Sequence, residues 1–216
     1  MKKYPTNEER TNKYLENFNR EKTLRYLLDK DDVIIFDVGA NVGNTVLEFK
    51  EWWPNSKIHC FEPQEECWEN LTKVQQKFSQ GEVIINNQAL GKKANSKAAF
   101  YSHKISSGLS GFNKINTSSI DSIYLDELVK SNNVENSNYF KSINNKRKVD
   151  VIRLDDYLYK RGINHINLLK IDTQGYEPEV LEGLGDMLSN VDIIISELMF
   201  YDYYERSLSF FDIERF

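Results

Sequence analysis

The chain alternates between short apolar runs and longer stretches of helical period, with polar punctuation between them. Val33 to Val38 is one apolar run of the kind expected for a strand covered on both faces of a parallel sheet. Lys57 to Phe61, Val83 to Asn87, Val149 to Ile152, Ile166 to Ile171 and Val191 to Glu197 read as further strands, with a short extra one at Ala98 to Tyr101. Helices are predicted at Gly43 to Trp53 (stopped by Pro54), Pro63 to Phe78, Leu154 to Lys160 and Glu177 to Leu184. Thr6 and Glu9 have the spacing of a capping box. They open a helix that continues through Leu15, Phe18, Leu24, Leu27 and Leu28, packs on the sheet and ends at Asp31-Asp32. Strands separated by helices call for right-handed crossovers. The expected fold class is therefore α/β, a Rossmann-like, doubly wound and mainly parallel sheet in a single domain over 1–216, with 1–30 as an N-terminal helical segment.

Two regions leave this rhythm. Residues 106–148 are rich in Ser, Asn and Lys, with one amphipathic piece at Ile120 to Val129. A connection that long inside a compact domain is usually functional or disordered, which suggests an insertion or lid. The tail MFYDYYERSLSFFDIERF is aromatic and can form one more helix. Its Tyr201, Tyr203 and Tyr204 either stack on an acceptor or pack, in the core or on a second subunit.

Composition narrows the function. The 216 residues carry a formal charge of −5, which disfavours the counterion-releasing contacts of non-specific nucleic-acid binding. The dense basic run Lys146-Arg147-Lys148 reads as a solvated loop. Cys60 and Cys67 have neither a metal-site nor a disulfide spacing and suit a reducing, cytoplasmic setting. The basic N-terminus is followed by no apolar signal segment, and no stretch approaches the roughly 18 to 20 apolar residues of a membrane span.

Three motifs carry the chemistry. FDVGANVGNT, Phe36 to Thr45, lies at the junction of the first strand and its helix, where Gly39 and Gly43 let the backbone turn and approach a ligand. Its spacing departs from the G-x-G-x-x-G of dinucleotide binders, and Asp37 precedes the first glycine. A pyrophosphate would repel that carboxylate; a ligand bearing an ammonium and a sulfonium would be attracted. HCFEP, His59 to Pro63, ends the second strand in Glu62, about twenty residues past the glycine loop, where an acidic residue can accept both hydroxyls of a ribose. LLKIDTQGYEPEVLEGL places Asp172 at the carboxyl end of a strand beside the first, with Gly175 for close approach and Glu177 opening the next helix at Pro178. Each also has a plain structural reading, as a tight turn or a helix cap.

Together VIIFDVGANVGNT, CFEP, NNQALG, VIRLDDYL and LLKIDTQGYEPEVLEGL resemble the FkbM-type methyltransferases over about Val33 to Glu197. The resemblance implies a class I methyltransferase fold that uses S-adenosylmethionine, usually on hydroxyls of sugars, polyketides or related metabolites. Carried over by position, it sets Asp37, Gly39, Asn41, Gly43 and Asn44 around the methionine part. It sets Glu62 on the ribose, Gln88 and Ala89 against the adenine, and Asp172 facing the transferring methyl with Glu177 nearby. The chain stops where that fold adds two last strands, so either the member is shortened or its sheet is completed otherwise.

The expected activity is methylation of oxygen on a small-molecule or glycan acceptor, in a monomer or a homo-oligomer. Asp172 is the first candidate for a general base, ahead of His103, which borders the Ser106–Gly111 segment, and His165. No metal is expected, since nothing in the spacing demands that Asp172 join Asp192 or Glu197 around magnesium. A nucleotide-dependent Rossmann enzyme and a cofactor-binding module without activity are the rival readings.

Overall fold

The computed structural model describes residues 6–131, 139–198, 202–206 and 208–216. Two short helices come first, α1 (Asn7–Asn17) and α2 (Arg20–Leu28). They are followed by β1 (Ile34–Val38), α3 (Asn44–Trp52), β2 (Lys57–Phe61), α4 (Glu65–Gln75), β3 (Val83–Asn86), β4 (Ala89–Leu90) and β5 (Asn95–Ser102). Then come α5 (Ile120–Ser131), α6 (Tyr139–Ser142), β6 (Asn145–Ile152), α7 (Leu154–Arg161), β7 (Ile166–Ile171), α8 (Glu177–Glu182), β8 (Val191–Ser196) and α9 (Phe210–Glu214).

Among the described residues the main sheet has five strands in the order β3-β2-β1-β7-β8, all parallel. The order reverses between β1 and β7, which opens a crevice at their carboxyl ends. Alternation along each strand feeds two cores. Val33, Ile35, Ile58, Cys60 and Leu168 pack under α2, α3 and α4, while Phe36, Val38, Phe61, Leu169 and Ile171 pack under α7 and α8. This is the doubly wound architecture expected. A second sheet, β4-β6-β5, stands beside the crevice. The third strand predicted at Val83 to Asn87 is β3, ending at Asn86; the chain then leaves the main sheet and joins the small one at Ala89. β6 begins at Asn145, so the last residues assigned to the insertion belong to a strand, paired antiparallel to β5.

The single N-terminal helix is two. Thr6 and Glu9 form the expected capping box, but Asn19 accepts from the Lys22 amide and starts a second helix. Only Leu24 and Leu28 dock on the sheet; Leu15 and Leu27 are exposed. No helix among the described residues is long and apolar enough to cross a membrane.

One buried group gives the fold a pH signature. His59 lies flat on Phe36, ring centroids 4.7 Å apart, with Nδ1 2.8 Å from the Tyr157 hydroxyl. Burial, helped by Lys57 and Arg161, lowers its pKa from 6.5 to about 4. The unfolded chain therefore takes the proton more readily than the folded one. The stabilisation is complete above the unfolded value and is lost as the pH falls from there to the folded one, by about 3 kcal/mol in all. Urea titrations across that window are expected to show a slope shallower by nearly one proton in His59→Phe than in the parent; equal slopes would remove His59 as the cause.

Candidate functional site

The crevice is a cleft of about 550 Å³, measured out to its mouth, at the carboxyl ends of β1, β2 and β7. Its floor follows from the ladder. Asp37 and Lys170 are register partners on adjacent strands, so their side chains rise side by side, and Lys170 Nζ stands 3.1 Å from Asp37 Oδ1. Lys170 also donates to the Gly39 carbonyl at 3.2 Å and reaches Asp172 Oδ2 at 3.5 Å. Burial works against the ammonium, but Asp37 and Asp172 outweigh it and hold its pKa above the ordinary value. Asp37 is fully buried and lies beneath the lining, where it supports the floor. It also keeps its other neighbour inert: burial and the Asp37 charge push the Cys60 thiol well up.

The glycine loop passes over this pair. Gly39 has φ +80°, and a Cβ there would lie 1.9 Å from the Asp172 carbonyl oxygen, so the loops after β1 and β7 touch backbone to backbone. Asn41, also at positive φ, donates its amide to Glu62 Oε2 at 2.8 Å. Gln64 donates its amide to Glu62 Oε1 at 2.8 Å. Burial raises the Glu62 pKa while these two amides pull it back. Glu62 itself is part of the cleft lining.

The opposite wall comes from the insertion. Ser107, Gly108 and Ser110 line the cleft. Ser107 donates to Asn41 Oδ1 at 2.8 Å, and Gln64 Nε2 donates to the Ser107 carbonyl at 3.1 Å. The loop is thus fastened to the cleft's other rim.

Beyond β7 the turn carries positive φ at Gln174 and Gly175. Glu177 is buried and ties this turn, its Oε1 accepting from the amide and hydroxyl of Thr173 at 2.8 and 3.0 Å. Asp172 keeps its side chain 38% exposed at the cleft.

The structure brings Gly39, Asn41, Glu62, Ala89 and Asp172 together on the cleft and sets the other candidates elsewhere. Gly43 packs under Leu71 and Val74 as the cap of α3, and Asn44 is exposed on that helix. Gln88, in the bend before β4, faces a separate groove with Arg153 and Lys160. Glu177 lies behind its turn. His103 is buried outside the lining, its Nδ1 accepting from the amides of Ile105 and Ser106 at 3.2 and 2.9 Å, so its task is to shape the wall loop. His165 pairs with Asp192 at 2.9 Å at the opposite edge of the sheet, roughly 20 Å of strand away from Asp172. Tyr203 and Tyr204 pack against Ile115 and Tyr139; Tyr201 lies outside the described residues. Lys170, Gln174 and Glu197 were not among the expected site residues. A lysine inside the apolar run LLKI was the available signal, since a buried ammonium needs partners.

The profile of the Methyltransferase FkbM domain matches residues 37–216. The chain belongs to that family. "Methyltransferase 1" of Beauveria bassiana (strain ARSEF 2860) is 27% identical over 157 residues, 72% of this chain and 60% of that protein. "2-O-methyltransferase NoeI" of Sinorhizobium fredii (strain NBRC 101917 / NGR234) is 25% identical over 186 residues, 84% of this chain and 70% of that protein. The crystal structure of methyltransferase FkbM from Methylobacillus flagellatus KT aligns with TM-score 0.45 and 13% identity over 74% of this chain and 30% of that one. This FkbM chain thus spans 60% of the length of Methyltransferase 1. The FkbM match begins at Asp37 and so takes in both glycines, Glu62 and the Asp172 turn.

Proposed function

We propose that this chain is an S-adenosylmethionine-dependent O-methyltransferase whose acceptor is a hydroxyl on a sugar, glycan or secondary metabolite. The observation that carries the reading is the charge of the cleft. Its described lining holds two carboxylates, Glu62 and Asp172, and neither lysine nor arginine. A pyrophosphate would meet repulsion there, whereas a sulfonium-bearing nucleoside is attracted.

The residues present fit that cofactor. Glu62 lines the cleft, and a carboxylate has acceptor capacity beyond the two amides it already takes, which suits ribose hydroxyls. Val38, Phe61, Pro63, Ala89 and Leu90 give the apolar walls that suit an adenine. Gln64 Oε1 is buried on the lining without a hydrogen-bond partner and can accept from an exocyclic amine. When bound, the cofactor supplies a methyl carbon already activated by its positive sulfur. The protein's part is to align the acceptor, exclude water and receive a proton. Asp172 is the carboxylate at the cleft placed for that last task. Oxygen as the methylated atom is supported by the name of the relative NoeI, a 2-O-methyltransferase.

Calorimetric titration of the folded chain with S-adenosylhomocysteine and with NAD tests the reading. Saturable binding of the first and none of the second is the expected result; the reverse would overturn it.

A further inference from the structure

Two carboxylates meet above the end of the sheet. Asp172 follows β7 and Glu197 follows β8, whose last residues are register partners. Gln174 Nε2 lies 2.7 Å from Asp172 Oδ1 and 2.8 Å from Glu197 Oε2. An amide nitrogen carries two hydrogens, so it gives one to each carboxylate. The two carboxylates set the amide this way round, and its Oε1 lies 2.8 Å from the Tyr204 hydroxyl, whose one hydrogen serves either this oxygen or the Leu109 carbonyl at 3.0 Å. Lys170 faces the cluster from β7, and Glu177 from α8. Asp37 lies below on β1 and already shares that lysine. One ammonium therefore serves an excess of carboxylates, and the amide draws two of them together.

We propose that Asp172 and Glu197 share one proton, which leaves when a cationic ligand enters the cleft and is restored from the acceptor hydroxyl during methyl transfer. The inference rests on the cofactor reading above. Lys170 stands 3.5 Å from Asp172 Oδ2, and the proton resides on Glu197. Burial and the Asp172 charge raise the Glu197 pKa to about 7, so the pair holds its proton near neutral pH. A sulfonium beside Asp172 replaces that proton as the compensating charge. In the reaction the acceptor O–H bond breaks and its proton goes to Asp172 and on to Glu197. The oxygen's electron pair forms the O–CH₃ bond, while the pair of the broken C–S bond stays on sulfur. The product cofactor is neutral at sulfur, and the carboxylate pair is back in its starting state.

Calorimetry of the parent chain tests this with two ligands that differ in that positive charge. At about pH 6.5, in buffers of low and high ionisation enthalpy, S-adenosylmethionine is expected to release about half a proton or more on binding, and S-adenosylhomocysteine close to none. In Glu197→Gln the difference should vanish while S-adenosylhomocysteine affinity stays within about threefold, since the amide clamp can persist. Equal proton release by both ligands in the parent would overturn the proposal and leave the cofactor reading standing. Binding of neither ligand by the folded parent would overturn both. A difference that persists undiminished in Glu197→Gln would take Glu197 out of the pair.

Discussion

Gly39→Ala is expected to destroy the cleft, with a loss of about 4 kcal/mol or more of folding stability or a folded protein that no longer binds S-adenosylhomocysteine. Two effects add. A non-glycine residue at φ +80° is strained by about 1 to 2 kcal/mol. The larger effect is overlap: the new Cβ would sit 1.9 Å from the Asp172 carbonyl oxygen and 3.0 Å from its carbonyl carbon. Those atoms are main chain and cannot rotate away. They are also pinned, because the Asp172 amide donates to the Val38 carbonyl at 3.0 Å and the two strands run in register up to Val38 and Ile171. Gly81→Ala is the matched control, with φ +88° and nothing within 4 Å of the added carbon. It should cost only about the 1 to 2 kcal/mol of backbone strain. Urea denaturation of both variants reads the difference; equal losses would mean that close approach of the two loops does not govern the site.

Asp172→Asn is expected to lower turnover by about 10²- to 10⁴-fold, the range for a lost general base. Affinity for S-adenosylhomocysteine should hardly move, because the side-chain carbonyl that replaces the carboxylate would still accept from Gln174 Nε2 and keep the turn. Affinity for S-adenosylmethionine should fall more, since a negative charge facing the sulfonium is gone. The ratio of the two affinities can be measured before any acceptor is known, and turnover follows on whichever hydroxyl compound accepts labelled methyl. An unchanged ratio together with parental turnover would remove Asp172 from the chemistry.

The elements buried on both faces were the most legible. β1, β2 and β7 read correctly because an apolar run of that length, bounded by turn residues, has few alternatives in an α/β chain. The small sheet was only half visible. β6 starts at Asn145 rather than Val149: antiparallel pairing with β5 leaves Lys146 and Lys148 exposed, while Arg147 between them turns to Glu66 of α4. The N-terminal helix was read as one because periodicity ignores a cap; Asn19 in the middle of the pattern was the signal of a restart.

At the cleft, the family resemblance named Gly39, Asn41, Glu62, Ala89 and Asp172, and the structure sets these five on one lining. Gln88 lies in the bend between β3 and β4 and lines a separate groove instead. His103 was drawn in by its sequence neighbours, but its ring is spent on the loop's own amides. Gln174 and Glu197 meet only because β7 and β8 are adjacent, and Tyr204 arrives from a segment that pairs with Ile115. Contacts of that kind are set by topology, so local pattern could not name them.

On the function proposed above, the negatively lined cleft at the carboxyl ends of β1, β2 and β7 holds a sulfonium nucleoside. A crystal structure of the chain with S-adenosylhomocysteine tests it directly. The account predicts both ribose hydroxyls on the Glu62 carboxylate, adenine between Phe61 and Leu90, and the sulfur turned toward Asp172. A ligand bound elsewhere with the cleft left empty, or one whose ribose has no contact with Glu62, would contradict it.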